Sequence, residues 1–199
     1  MTVIPLVSSQ LKLVSEMMAR AFQDDPYYTY TIPDVDRRQH LLPWLMERII
    51  SFGLHYGKVY TTASNEGAAV WLGPKNPVFH RTGAIRTGLF LLPLKLSRQE
   101  RDRVQLLEEA EDRLHAQAVK GSHWYLPVLG VDPTRQGRGI GVALLQPVMQ
   151  MADQENLACF LETNNEKNLS FYEKYGFRVA GQERPDPGGP FVWGMVRRK

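Results

Sequence analysis

The stretch LGVDPTRQGRGIG, Leu129 to Gly141, decides how the rest of the chain is read. An apolar run, Leu126 to Val131, meets Asp132-Pro133 and then a basic turn punctuated by glycine. Ile140, Leu144, Val148 and Ala152 follow at helical spacing, with Leu145 and Met149 one step round. The turn therefore joins a strand end to a helix start. There the first N–H groups have no partner inside the helix, and the helix dipole is positive. Gly137, Gly139 and Gly141 remove side chains that would hold a ligand away from those donors, and Arg135 and Arg138 add positive charge beside them. The pattern is an anion cradle suited to a phosphate or pyrophosphate.

Two familiar phosphate loops do not fit it. A Walker loop needs a Lys-Ser/Thr pair after its last glycine, where Val142-Ala143 stand here. A dinucleotide fingerprint reads G-x-G-x-x-G, whereas these glycines read G-x-G-x-G behind Gln136. A tight strand-to-helix turn needs glycine on conformational grounds alone, so the flanking residues carry the distinction.

With those flanks, V-x-P-x-x-Q-G-x-G-I-G (Val131 to Gly141) resembles the signature of the GNAT superfamily of N-acetyltransferases. In that superfamily a Q/R-x-x-G-x-G/A turn binds the pyrophosphate of acetyl-coenzyme A. The second half of the signature follows as LETNNEKNLSFYEKYGF, Leu161 to Phe177. With HWYLPVLGV before the turn and GGPFVWGMVR near the end, the resemblance covers residues 122 to 198. Its phrasing is most similar to the branch that contains puromycin N-acetyltransferase.

The resemblance implies an α/β, single-domain acyl-CoA N-acyltransferase fold over residues 1–199. Its mixed, twisted central sheet would have about six to seven strands flanked by helices. A helical insertion over about 74–121 would precede an acetyl-CoA-binding core over about 122–183. The resemblance further places Arg135, Gln136, Gly137, Arg138, Gly139, Ile140 and Gly141 around the pyrophosphate. Backbone groups of Leu129 and Val131 would lie against pantetheine and the thioester carbonyl. A backbone N–H aimed at that oxygen is worth ~3 kcal/mol per donor in comparable sites. Asn165 and Asn168 are candidates for bonds to coenzyme A, though helix capping explains Asn168 equally well.

Tyr172 occupies the place where GNAT enzymes commonly keep a tyrosine that protonates the leaving thiolate. A phenol of pKa ~10 is a competent proton source for a thiolate of similar basicity. The alternative is that Tyr172 merely packs, as Phe171 and Tyr175 do. An alkylamine is mostly charged at pH 7 and must lose a proton before it attacks. Glu162, at the end of an apolar strand, is the best candidate base, with a pKa raised by burial if it faces a cavity. Asp24, Asp25 and His123 are weaker candidates, water-mediated deprotonation needs none of them, and a strand-end glutamate also serves as a structural acceptor.

The remaining sequence sets bounds. A chain of 199 residues, 43% hydrophobic, is long enough for a proper core. A net charge of +3 with scattered basic residues gives no case for nucleic acid. The single cysteine, Cys159, cannot form an internal disulfide and sits in the apolar run Leu157 to Leu161 as a buried hydrophobe. Pro5 and Ser8-Ser9 interrupt any signal-peptide pattern, and Leu89 to Leu94 is far short of the ~20 apolar residues of a spanning helix, so a soluble cytoplasmic protein is expected.

Thr2 to Val7 reads as a strand, and Ser8 or Ser9 caps a helix that stops at Asp24-Asp25-Pro26. Asp25-Pro-Tyr-Tyr-Thr-Tyr30 reads as a turn. Its rings either cap the core or, with Asp25, Tyr27, Tyr28 and Tyr30, border an amine pocket, together with His123. A second helix spans about Asp36 to Tyr56, and a hairpin joins Lys58 to Thr62 with Ala68 to Leu72. In the insertion, Arg98 to Val119 is an amphipathic helix, and His80, Arg81, Arg86, Lys95 and Arg98 either contact an acidic substrate group or, the commoner case, are solvated charges. The insertion offers no chemical clue to the acceptor. Pro127 within the strand His123 to Val131 requires a bulge or an unpaired position. Leu157 to Leu161 is its buried parallel partner, and a final hairpin pairs Gly176 to Gln182 with Phe191 to Val196.

The expected activity is direct transfer of an acetyl group from acetyl-CoA to a primary amine of a small molecule, with no metal and no covalent enzyme intermediate. A protein or peptide acceptor, a non-catalytic acyl-CoA sensor, or a regulator binding nucleotide phosphates are the alternatives. No nucleic-acid or membrane partner is expected, and GNAT precedent allows a homodimer.

Overall fold

The computed structural model describes residues 1–199. Its strands are β1 (Val3–Pro5), β2 (Gly57–Thr62), β3 (Gly67–Leu72), β4 (His123–Val131), β5 (Ala158–Thr163), β6 (Phe177–Glu183) and β7 (Val192–Arg197). They form one seven-stranded sheet in the order β1-β2-β3-β4-β5-β7-β6. Only β4 and β5 run parallel; every other neighbouring pair is antiparallel. The helices are α1 (Leu11–Ala21), α2 (Pro26–Thr31), α3 (Val35–Tyr56), α4 (Arg81–Thr87), α5 (Leu92–Lys95), α6 (Arg98–Ala118), α7 (Ile140–Glu155) and α8 (Leu169–Glu173). No helix is long and apolar enough to cross a membrane.

Two cores sandwich the sheet. On one face Val14, Met18, Leu42, Met46 and Ile50 of α1 and α3 pack on Val70 and Val128. On the other, Leu144, Leu145 and Val148 of α7 pack on Trp71, Leu126 and Leu161. Alternation along β5 sends Cys159 and Leu161 toward α7 and leaves Phe160 and Glu162 for the opposite face.

That opposite face is covered by α6, the helix of the insertion. Ser97 caps it, with Glu100 completing a capping box, and Glu100 also binds Arg37 of α3 at 2.8 Å. Leu107, Ala110 and Leu114 cluster with Val192 of β7, so the apolar stripe of α6 fixes which face turns away from the sheet.

Two stretches differ from their sequence expectations. Ser8 and Ser9 lie in a one-turn 3-10 helix, and neither caps α1, whose N-cap is Gln10. Pro26 to Thr31 is a short helix and not a turn, because Asp25 accepts from the Tyr27 N–H as N-cap and proline is tolerated at the first helical position. Pro43 lies inside α3, which begins at Val35 behind an Asp34 cap.

Candidate active site

The parallel pairing of β4 and β5 ends at Leu126↔Leu161. Beyond it β4 continues on β3, while Glu162 and Thr163 pair with Gly194 and Trp193 of β7. The two central strands thus part. A bulge marks the place: Val128 faces Val70 but Tyr125 faces Leu72, so β4 carries one extra residue around Leu126-Pro127. Pro127 has no N–H to lose there. Beyond the bulge the Asp132 N–H donates to the Glu66 carbonyl on the β3 side at 2.9 Å. By strand alternation the amides of Leu129 and Val131 point the other way, into the gap.

The turn after β4 is held open by local bonds. Asp132 accepts from Thr134 N and Oγ1 and pairs with Arg20 at 2.8 Å, and these donors hold its carboxyl down at about 2. Gly137 and Gly139 have φ of +75° and +76°, a region L side chains rarely adopt, and Gly139 caps α7 from it. No atom lies within 4 Å of where a Cβ would stand at either, so the α7 N-terminus faces open space. The two arginines differ. Arg135 Nε lies 3.2 Å from Glu66 Oε1 and is partly neutralised, whereas Arg138 has no ion-pair partner. Ile140 is buried under the turn.

A cavity of about 700 Å³ opens between the parted strands, α2 and α6. Glu162 and Tyr172 both line it. The Glu162 side chain is only 6% exposed; burial raises its pKa strongly, partly offset by the neighbouring Tyr125 hydroxyl. His115 Nδ1 is 3.8 Å from Glu162 Oε1, and its ring stacks on Phe160 at 4.2 Å. Burial pushes His115 down to about 4, so it stands neutral beside the carboxyl. Tyr172 is buried, and burial lifts its pKa well above the ordinary phenol value, which keeps its proton in place at neutral pH.

The residues named in advance are distributed as follows. Asp25, Tyr27 and Tyr28 line the cavity; Leu129 and Asn168 do so on the side of the gap. Asn168 Nδ2 donates to Thr163 Oγ1, and the Asn165 carboxamide caps Lys167 N, outside the cavity wall. Tyr30 lies outside the cavity wall. Its hydroxyl binds Asp186 in the β6–β7 connection and Arg103 lies over its ring, so it straps that loop to α2. His123 lies outside the wall too, behind His115, their Nε2 atoms 2.6 Å apart. Cys159 is fully buried with its pKa up at about 12, an inert thiol.

Sequence reading missed the α6 wall. Glu108, Glu111, Asp112 and His115 share one face and line the cavity, so the insertion does carry chemical information about what enters. The signal was the EEAED run opposite the Leu107, Ala110 and Leu114 stripe. None of His80, Arg81, Arg86, Lys95 and Arg98 reaches the wall. No group of three or more His, Cys, Asp or Glu side chains is placed to hold a metal ion.

A mixed sheet split between two parallel central strands, with a glycine cradle at the following helix, defines an acyl-CoA N-acyltransferase fold. Residues 104–179 match the family described as an acetyltransferase (GNAT) domain. That match takes in β4, the cradle, α7, β5 and α8, and over those residues the chain is similar to GNAT acetyltransferases, which draw their acetyl group from acetyl-CoA. An uncharacterized N-acetyltransferase of Schizosaccharomyces pombe is 28% identical over 173 residues, 83% of this chain and 70% of that protein. A histone acetyltransferase HPA2-related acetyltransferase from Corynebacterium glutamicum superposes with a TM-score of 0.68 at 21% identity, over 99% of this chain and 95% of the other. Arylalkylamine N-acetyltransferase 2 from Aedes aegypti superposes at 0.63 with 15% identity, over 99% and 98% of the two chains. At these identities the two solved structures speak to the fold.

Proposed function

We propose that this enzyme acetylates a small, positively charged primary amine, with Glu162 as base and Tyr172 as acid. The observation that carries the reading is the cavity lining, where Asp25, Glu108, Glu111, Asp112 and Glu162 face the space and Arg101 is the one Lys or Arg. A cavity of about 700 Å³ suits a small molecule.

In this reading the α7 N-terminus and Arg138 hold the pyrophosphate of acetyl-CoA, and pantetheine lies in the gap between β4 and β5. Glu162 takes one proton from the entering ammonium. The freed nitrogen lone pair forms the N–C bond at the thioester carbonyl, whose developing charge meets the Leu129 N–H. The C–S bond then breaks, Tyr172 gives its proton to the sulfur, and the excess proton on nitrogen restores the phenol. The balance is ammonium plus thioester to amide, thiol and one proton, with no covalent enzyme intermediate and no metal.

Thiol release from acetyl-CoA against a panel of small amines, amino acids and peptides tests this. Turnover confined to basic small amines supports it; turnover of peptides alone, or of anionic amines, contradicts it.

A further inference from the structure

The cavity holds more negative charge than the reaction uses. Glu108, Glu111 and Asp112 form no ion pair with any Lys, Arg or His of the chain. Arg101, the one guanidinium in the wall, has its Nη1 taken by the carbonyls of Pro93 and Leu96 at 2.9 and 3.1 Å. The Glu162 side chain, 6% exposed and facing the cavity, has only the neutral His115 as a nearby basic group. Burial raises Asp25 to about 6, burial and the nearby Asp112 raise Glu108 to about 7, and burial with the Glu162 charge raises Glu111 well above the ordinary range, so ionisation is opposed there and a cation placed beside these groups would favour their charged forms. Four acidic side chains beyond the base therefore line the cavity without a cation from the chain.

The reacting amine cannot supply it. It attacks only as a neutral nitrogen, and the proton it sheds neutralises Glu162. A monoamine at that moment leaves Asp25, Glu108, Glu111 and Asp112 facing an uncharged ligand, whereas a second cation on the ligand would meet carboxyl groups that are half-buried at Asp25 and Glu111 and exposed at Glu108 and Asp112.

We infer, resting on the acetyl-transfer reading above, that the acceptor is a linear di- or polycation whose second ammonium or guanidinium sits against Glu108, Glu111 and Asp112. The helix sets the spacing. His115 marks the level of the reacting nitrogen; Glu111 and Asp112 lie about one turn away and Glu108 about two, ~5 to ~10 Å along α6. A saturated chain of about four to seven carbons spans that range. Phe22, Ile49 and Leu92 in the opposite wall offer apolar surface to its methylenes.

The test is thiol-release kinetics with α,ω-diamines of three to eight carbons and with monoamines of matched length, on wild type and on Glu108→Gln, Glu111→Gln and Asp112→Asn. The inference expects diamines to exceed matched monoamines in kcat/KM by about 10-fold or more, the worth of one charge-assisted contact. The optimum falls at four to seven carbons, and in the variants the ratio drops toward one, chiefly through KM. Equal turnover of both amine classes, or a ratio the variants leave unchanged, overturns the inference while the transferase stands. Absence of turnover with every amine overturns the transferase reading and this inference with it.

Discussion

His115 Nε2 lies 2.6 Å from His123 Nε2, and His123 Nδ1 lies 2.8 Å from the Gly121 carbonyl. A carbonyl only accepts, so His123 Nδ1 carries hydrogen and its Nε2 accepts from the His115 Nε2–H. His115 Nδ1 is left with a lone pair facing Glu162, so the histidine pair fixes the face it presents to the carboxyl.

Acid should break that arrangement. The folded-state pKa of His115 is depressed from 6.5 to about 4, so between those values the unfolded chain binds a proton that the folded chain refuses. Stability from the neutral ring is complete above pH ~6.5 and is lost as pH falls toward 4. Relative to His115→Gln, wild type should lose on the order of 3 kcal/mol across that window, measured by denaturant unfolding at pH 7, 5 and 4. A wild-type-to-variant difference that stays constant with pH contradicts a neutral pair.

Glu108 should show the reverse sign. Its carboxyl is raised to about 7, so the folded state binds the extra proton, and stability falls as pH rises from its ordinary value through 7. Glu108→Gln should therefore raise Tm at pH 8, with the gain vanishing near pH 4. A variant no more stable than wild type at pH 8 contradicts the strain assigned to this wall.

The cradle arginines are expected to be unequal. Arg138 is unpaired and Arg135 is tied to Glu66, so Arg138→Ala should raise KM for acetyl-CoA by about 10-fold and Arg135→Ala by less. Titration of acetyl-CoA by calorimetry at two salt concentrations separates them, the Arg138 effect shrinking as salt rises.

What the sequence could reveal here was local. The cradle was legible because glycine, arginine and a strand-to-helix change fall within 13 residues, and the bulge because proline cannot donate to a ladder. Tyr30 and His123 lie outside the cavity wall for reasons that are not local. Tyr30 answers to Asp186, 156 residues away, and His123 to a helix whose position depends on where β7 lies. The carboxylates of α6 belong to the polar face of an amphipathic pattern, and whether such a face meets solvent or a cavity is decided by what packs opposite, which periodicity does not carry. The six-residue α2 escaped since its aromatic and β-branched composition favours strand or turn, and only the Asp25 cap with Pro26 at the first position favours helix.

Tyr172→Phe removes a proton without changing the ring's packing against Phe171 and Phe177. The expected result is a fall in kcat of ~10²-fold with KM for both substrates little changed. Retained kcat would assign Tyr172 to packing alone.

The most direct test is the pH profile of kcat/KM for amine acetylation in wild type and Glu162→Gln. Burial raises the Glu162 carboxyl above the ordinary range, so wild-type activity should climb as that group ionises near neutral pH or above. The variant should lose ~10²-fold or more at the plateau, together with that ionisation. A variant that keeps both the rate and the profile would contradict Glu162 as the base, and with it the catalytic role assigned to the parted strands.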